Sequence, residues 1–171
     1  QISGTGTRLL RCVATGVRGS GFLLTSGTVG PVLAEECEAY ACNAANTSGD
    51  AGFDINGVAV LRRCISHDNS GLNNDGFGSP IGNASTIIFE QCIADTNGRH
   101  GFATFNTTGN GNQLRMFSQC DAYNNGTAGI HLDESGAGQL WCALIENCNL
   151  IKNGGYGINH NSNGTTIVNV V

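Results

Sequence analysis

Five residues in the middle of the chain carry side chains that could bind a sugar or move a proton on it. Asp75 precedes one Gly-Phe pair, Arg99 and His100 precede the next, and His131 and Asp133 follow a Gly-Ile pair. Imidazole and carboxylate groups are common general acids and bases, and a guanidinium binds a carboxylate through two parallel hydrogen bonds. These residue types predict a site for a molecule that carries hydroxyl or carboxylate groups.

The same residues occupy equivalent places in a sequence repeat. Cysteines recur at spacings of 25, 27, 28, 28 and 28 residues, at Cys12, Cys37, Cys64, Cys92, Cys120 and Cys148. A Gly-Phe or Gly-Ile pair follows each cysteine, and Asn stands five places after it at Asn69, Asn97, Asn125 and Asn153. A period of this length is typical of a solenoid, in which each unit buries its apolar face on its neighbours.

Within each unit the apolar residues are spaced for three short strands with turns between them. Apolar residues stand three before the cysteine, at the cysteine, and mostly two after it, and Gly-Phe or Gly-Ile begins a third strand. We therefore expect an all-β fold, a single-stranded parallel β-helix of about six coils. The repeat predicts a buried Cys ladder of unpaired thiols and a ladder of Asn amides in one turn. It also suggests a positive φ at the glycine before Phe.

The pattern C-x-A-x-x-N-x-x-x-G-[FI] resembles the right-handed parallel β-helix repeats of the pectate-lyase-like superfold. The stretch NGRHGFATFNTTGNGNQLRMFSQCDAYNNG is similar to repeats of mannuronan epimerases, and it also resembles the β-helical domains of bacteriophage tail spikes. The resemblance implies a right-handed coil, a polysaccharide partner and an extracellular or virion-associated location. The Asp-Pro-His-Glu signature of the epimerases and the paired aspartates of polygalacturonases are absent from the sequence.

Charge and composition limit the classes of partner that the protein could bind. The net charge is −5 with 8 Lys+Arg, which argues against nucleic acid, and no apolar stretch is long enough for a membrane span. Residues 1–171 are expected to be a single domain that is part of a longer chain or assembly, with a homotrimer or neighbouring domains covering the coil ends. We predict no metal site and no cofactor; Ca²⁺ stays possible, although no motif indicates it.

Strand alternation places His131 and Asp133 on one outward face. Their equivalents in other coils extend this face into a candidate carbohydrate-binding strip that also includes Asp54, Asn56, Arg99, Asn159 and Asn161. The first hypothesis is a tail-spike-like module that binds cell-surface polysaccharide there. The second is a uronan epimerase or β-eliminating lyase, with His100 or His131 as acid or base, Arg99 on the carboxylate, and Asp75 or Asp133 orienting. The third is an architectural protein without a ligand.

A separate group of charges stands just before the cysteines. Arg11, Glu36 and Arg63 share one repeat position, and Glu35, Arg62 and Glu90 share the position before it. Because opposite charges alternate from coil to coil, we expect these residues to form an exposed row of ion pairs that contributes little to stability.

Overall fold

The computed structural model describes residues 2–3, 6–26, 30–42, 50–80, 86–106, 113–134, 141–161 and 165–171. This part of the chain is built from strands, and it contains no helix of the length and apolarity that a membrane crossing needs. The described residues form twenty strands, which follow one another in six groups of three and a final pair, and we call each group a coil. In chain order they are β1 (Ile2–Ser3), β2 (Arg8–Leu10), β3 (Val13–Thr15), β4 (Phe22–Thr25), β5 (Val32–Glu35), β6 (Glu38–Tyr40), β7 (Ala51–Asn56), β8 (Ala59–Arg62), β9 (Ile65–His67), β10 (Asp75–Pro80), β11 (Thr86–Glu90), β12 (Ile93–Asp95), β13 (His100–Asn106), β14 (Gln113–Ser118), β15 (Asp121–Tyr123), β16 (Ala128–Glu134), β17 (Trp141–Glu146), β18 (Asn149–Ile151), β19 (Tyr156–Asn161) and β20 (Thr165–Val168).

The strands form three parallel sheets that run the length of the molecule. Sheet A has the order β1-β4-β7-β10-β13-β16-β19, sheet B the order β2-β5-β8-β11-β14-β17-β20, and sheet C the order β3-β6-β9-β12-β15-β18. Each strand pairs with the strand three before it and the strand three after it, which is the connectivity of a solenoid with three strands per coil. The predicted all-β parallel β-helix is therefore confirmed.

The core is made of identical or similar side chains stacked from coil to coil. Phe22, Phe53, Phe77 and Phe102 stack along sheet A with centroid separations of 4.9, 4.9 and 4.8 Å. The separations match the strand spacing of about 4.8 Å, so the register of the sheets imposes the stacking. Phe89 on sheet B meets this column edge-on, 5.2 Å from Phe102.

The predicted Cys ladder is present and unpaired. All eight cysteines are free, and the repeat cysteines from Cys37 to Cys148 are buried. The thiols of Cys64, Cys92, Cys120 and Cys148 each lie near a carbonyl of the preceding coil, as in the contact of 3.4 Å from Cys92 Sγ to the Leu61 oxygen. The thiols therefore serve as small apolar side chains that also satisfy a backbone acceptor.

The Asn ladder closes the turn between sheets C and A. Asn69 donates to Asn97 Oδ1 at 2.8 Å, Asn97 to Asn125 Oδ1 at 2.9 Å, and Asn125 to Asn153 Oδ1 at 3.0 Å. Backbone amides also donate to the ladder: that of Asn97 to Asn125 Oδ1, that of Asn125 to Asn153 Oδ1, and that of Cys42, which holds the ladder position one coil earlier, to Asn69 Oδ1. The predicted amide ladder is confirmed, and it also satisfies buried backbone donors that the turn leaves without a strand partner.

The glycine before Phe or Ile is required for a different reason from the one predicted. None of the six such glycines has a positive φ: Gly21, Gly52, Gly76, Gly101, Gly129 and Gly157. Instead, a Cβ on Gly101 would lie 2.7 Å from the Gly129 oxygen and 2.9 Å from Asn125 Nδ2. Side chains are excluded because the next coil is too close. Among residues other than glycine, positive φ values occur at two positions of the repeat. One is the residue directly before the cysteine, such as Gln91 at 55°, and the other is the residue directly before the ladder Asn, such as Thr96 at 52°.

The exposed charge row forms as expected. Arg62 Nε lies 2.6 Å from Glu90 Oε2, and Arg63 contacts both Glu35 and Glu36 across the coil boundary. The arginine side chains in these pairs are 44% and 46% exposed, so water screens the charges and each pair contributes little to stability. These pairs fix register more than they add stability.

Substituting Gly101 with alanine tests the close approach between coils. We expect Gly101→Ala to reduce the free energy of unfolding by about 2 to 4 kcal/mol, because backbone atoms of the next coil cannot move away without breaking the sheet. Gly157→Ala is the matched control, since a Cβ there would meet its nearest atom at an ordinary 3.5 Å. Urea unfolding of both variants measures the difference, and equal losses would contradict the explanation.

Candidate functional site

The outward face of sheet A brings the predicted site residues onto one surface, which we call the sheet A strip. Strand pairing aligns Asp54, Gly78, Ala103, His131 and Asn159 in one row. A second row, two residues further along the strands, aligns Pro80, Phe105, Asp133 and Asn161. Asn56 follows Asp54 by two residues at the end of β7, and the side chain of Asn161 lies outside the described part of the structure.

Asp75 lies on the same face, although it stands an odd number of residues from Gly78. A Cβ built on Gly78 would lie 3.8 Å from Asp75 Oδ2, so the carboxylate sits directly beside the outward side of this glycine. His100 holds the position equivalent to Asp75 in the next coil and is oriented in the same way.

Asp75 and Arg99 form a closed ion pair. Arg99 Nε donates to Asp75 Oδ1 at 2.8 Å, Arg99 Nη2 donates to Oδ2 at 2.5 Å, and the His100 amide donates to Oδ1 at 3.2 Å. The Asp75 side chain is 3% exposed and that of Arg99 24%. Burial raises the pKa of Asp75, and the guanidinium opposes that shift. The two charges therefore neutralise each other, and the Asp75 carboxylate is closed to a ligand.

His100 and His131 form a stacked pair of imidazoles at the centre of the strip. Their ring centroids are 4.3 Å apart and their planes differ by 4°. Burial lowers the pKa of His100 to about 3, with further contributions from His131 and Arg99. Burial also lowers the pKa of His131, against the effect of Asp133. Both rings are therefore neutral at physiological pH and behave as flat, weakly polar surfaces.

Phe105 completes this ring cluster. Its ring centroid lies 5.4 Å from that of His131 and 6.5 Å from that of His100, and the Arg99 guanidinium carbon lies 4.9 Å above it. Phe105 and His131 are half-buried, so part of each ring faces outward. The sequence analysis did not select Phe105, although its place opposite Asp133 could have been found by aligning the Gly-Phe and Gly-Ile pairs.

An acidic group flanks the rings on the side of the earlier coils. Burial raises the pKa of Asp54 to about 7, and the nearby Asp50 carboxylate adds to the shift. Ser20 Oγ donates to Asp50 at 3.2 Å, and Asn56 Nδ2 lies 3.5 Å from Asp54 Oδ1. On the opposite side Asp133 follows His131 by one outward position. The strip therefore places ring faces between carboxyl and amide groups.

The site contains two further polar atoms that are buried and lack a protein partner. They are the Nδ1 atoms of His100 and His131. Within the described residues, no three His, Cys, Asp or Glu side chains are grouped closely enough to hold a metal ion. The chemistry that these residues offer is therefore ring stacking and hydrogen bonding to hydroxyl groups.

Protonation of the buried imidazole should make stability depend on pH. The pKa of His100 falls from its ordinary 6.5 to about 3 on folding, so its contribution is complete above pH 6.5 and is lost as pH falls toward 3. We expect His100→Phe, which keeps a flat ring, to remove a loss on the order of 3 kcal/mol across that window. Denaturant unfolding at a series of pH values compares the two proteins, and parallel pH curves would contradict the burial of a neutral His100.

Asp54 should show the opposite dependence. Its pKa rises from 3.8 to about 7 on folding, so its contribution is present below pH 3.8 and is lost as pH rises toward 7. In the same measurement we expect Asp54→Asn to flatten the fall in stability between pH 4 and 7. A variant that loses stability with pH as steeply as the original chain would show that Asp54 is not held protonated.

Comparison with known proteins agrees with this architecture. The family model described as "Right handed beta helix region" matches residues 1–171. Neither the curated proteins nor the solved structures contain a match to the chain. Three parallel sheets, the stacked core and a family match over the full sequence lead to one assignment: the chain belongs to the right-handed β-helix family.

Proposed function

We propose that this chain is a β-helical module of a larger extracellular or virion assembly and that it binds a neutral cell-surface polysaccharide along the sheet A strip. Membership of the right-handed β-helix family supports a module of the pectate-lyase-like superfamily. The binding site, the class of glycan and the tail-spike-like setting are the proposal, and the argument for them comes from the strip.

The observation that carries the proposal is the ring cluster of His100, His131 and Phe105, with its centroids 4.3 to 6.5 Å apart on an outward sheet face. Sugar rings have apolar C–H faces that stack on flat rings and hydroxyl groups that bind carboxylates and amides. The strip offers both, because Asp133 pairs with Phe105 and follows His131 by two residues, while Asp54 lies in the same row as His131, two strands away from β13.

A neutral glycan fits the charges of the strip better than a uronan does. A uronate needs a free guanidinium or ammonium group, and the Arg99 guanidinium already makes two hydrogen bonds to Asp75. The remaining ionisable groups are the neutral imidazoles and the carboxyls of Asp50, Asp54 and Asp133. An anionic polymer would therefore be repelled by the strip, whereas a neutral polymer would not.

The same contacts favour binding without chemistry. An epimerase or lyase needs a group that neutralises the substrate carboxylate and an acid or base poised near neutral pH. Arg99 and Asp75 neutralise each other, and a pKa of about 3 leaves His100 a very weak base. Asp54, whose pKa is raised to about 7, lies two strands away from β13, and the Asp50 carboxylate near it would repel a uronate rather than neutralise it. The strip therefore supports recognition more than proton transfer.

A binding panel with substitutions in the ring cluster tests the proposal. We expect saturable binding to at least one neutral polysaccharide among glucans, galactans and mannans, and weaker or undetectable binding to alginate and polygalacturonate. Phe105→Ala and His131→Ala should each weaken binding at least about tenfold, because each removes a stacking surface. Calorimetry or biolayer interferometry gives the affinities.

Tyr123→Ala is the matched control, since Tyr123 is an outward aromatic residue of the same coil as Phe105 but lies on sheet C. Its affinity should equal that of the original chain. Unsaturated or epimerised products from a uronan, detected by ultraviolet absorbance and proton NMR, would instead establish the enzyme hypothesis. Absence of binding to all glycans would leave the architectural hypothesis.

A further inference from the structure

We infer that the outward face of sheet B is a docking surface for a second copy of this chain, packed antiparallel about a two-fold axis that runs between β8 and β11. This surface lies on a different sheet from the sheet A strip and does not depend on glycan binding.

An apolar stripe runs along the outward face of sheet B. Strand pairing aligns five aliphatic or thioether side chains in successive coils, at Leu33, Val60, Ile88, Met116 and Leu144. All five are partly exposed, and Leu114 beside them is 39% exposed. A continuous outward row of this kind differs from scattered surface residues and is typical of an interaction site.

The charges beside the stripe change sign along the molecule. The earlier coils carry four arginines and two glutamates on this face and its adjoining corner, at Arg8, Arg11, Arg62, Arg63, Glu35 and Glu36. The later coils carry two glutamates, Glu90 and Glu146, and uncharged residues at the other equivalent positions. One end therefore has a net charge of +2 and the other −2, so the surface is complementary to itself when one copy is reversed.

The individual contacts agree with this arrangement. Reversal about an axis between β8 and β11 places Val60 on Ile88 of the second copy, and Leu33 on Met116. It also places Arg62 opposite Glu90 and brings Arg8 to the strand that carries Glu146. Within its own chain Arg8 already reaches two positions along the neighbouring strand to Glu35 at 2.6 Å. The same reach brings it to Glu146, which has no basic partner within the described residues and accepts from Ser118 at 2.9 Å.

A parallel arrangement of the two copies would be unfavourable. It would place the arginine-rich end on the arginine-rich end and Glu146 on Glu146, and like charges across an interface are repulsive. Charge complementarity therefore selects the antiparallel dimer over a parallel one.

The expected interface is small. Six strands spaced about 4.8 Å apart, with about four residues each at 3.3 Å, give a face of about 400 Å² per copy. The total of about 800 Å² is below the standard size of specific interfaces, so we expect a reversible dimer with a dissociation constant in the micromolar range or weaker.

Sedimentation equilibrium over a wide range of protein concentration tests the dimer. We expect Val60→Asp and Ile88→Asp each to raise the dissociation constant at least about thirtyfold, because each buries a carboxylate at the centre of the stripe. Ile93→Asp is the matched control: Ile93 is partly exposed, belongs to the same coil as Ile88 and faces outward from sheet C. Circular dichroism verifies that every variant remains folded.

Charge reversal and cross-linking test whether the two copies pack antiparallel. Arg8→Glu and Glu146→Arg should each weaken the dimer, and the double variant should restore it. In a Cys142→Ser background, a short bismaleimide should join Leu33→Cys chains to Met116→Cys chains more efficiently than either to itself, because each self-pair is offset by three strand spacings, about 14 Å. A monomer at millimolar concentration, an oligomer unaffected by the stripe variants, or preferential Leu33→Cys self-linking would each overturn the inference.

Discussion

Every coil of this protein must approach the next to within one strand spacing, and the turn between sheets C and A is where that approach is closest. A Cβ on the turn glycines would meet the backbone oxygen of the following coil at 2.6 to 2.8 Å. The Asn side chains beside them bind one another and the backbone amides of the preceding coil. Glycine permits the close approach of the coils, and the asparagine side chains bind the backbone amides that this approach buries. The straight stacking of the phenylalanines, the thiols and the ion pairs follows from that shared spacing.

The inward half of the structure could be predicted from the sequence because inward residues must match their neighbours. A cysteine or an asparagine at a fixed repeat position has the same surroundings in every coil, so spacing alone predicts both ladders. The role of the turn glycines was not predictable in this way, because sequence spacing does not show how closely two backbones approach. The true positions of positive φ hold Gln91 and Thr96, residue types that do not indicate a left-handed backbone.

For the outward-facing residues, the sequence predicts which ones align along a sheet, but it does not predict which side chains contact one another. The repeat correctly aligns Asp54, His131 and Asn159 along sheet A. It does not show that Arg99 turns toward Asp75, or that His100 stacks on His131, because these contacts depend on side-chain rotamers. The pairing changes the chemistry of the strip. Asp75 and Arg99, which suggest proton transfer and carboxylate binding, become a closed ion pair, and His100 and His131 become a neutral ring surface. Our proposal of an uncharged polymer as the ligand depends on this change.

The column of buried thiols has a consequence for how the solenoid comes apart. A cysteine in the core is protected from alkylating reagents by burial, and burial also raises the pKa of the Cys37 thiol to about 11, so little of the reactive thiolate forms. Cys142 is the cysteine whose side chain is exposed in the folded chain. Because one repeat cysteine belongs to each coil, the order in which the others become reactive would record the order in which the coils open. The reactivity of each repeat cysteine would therefore report the local unfolding of its own coil.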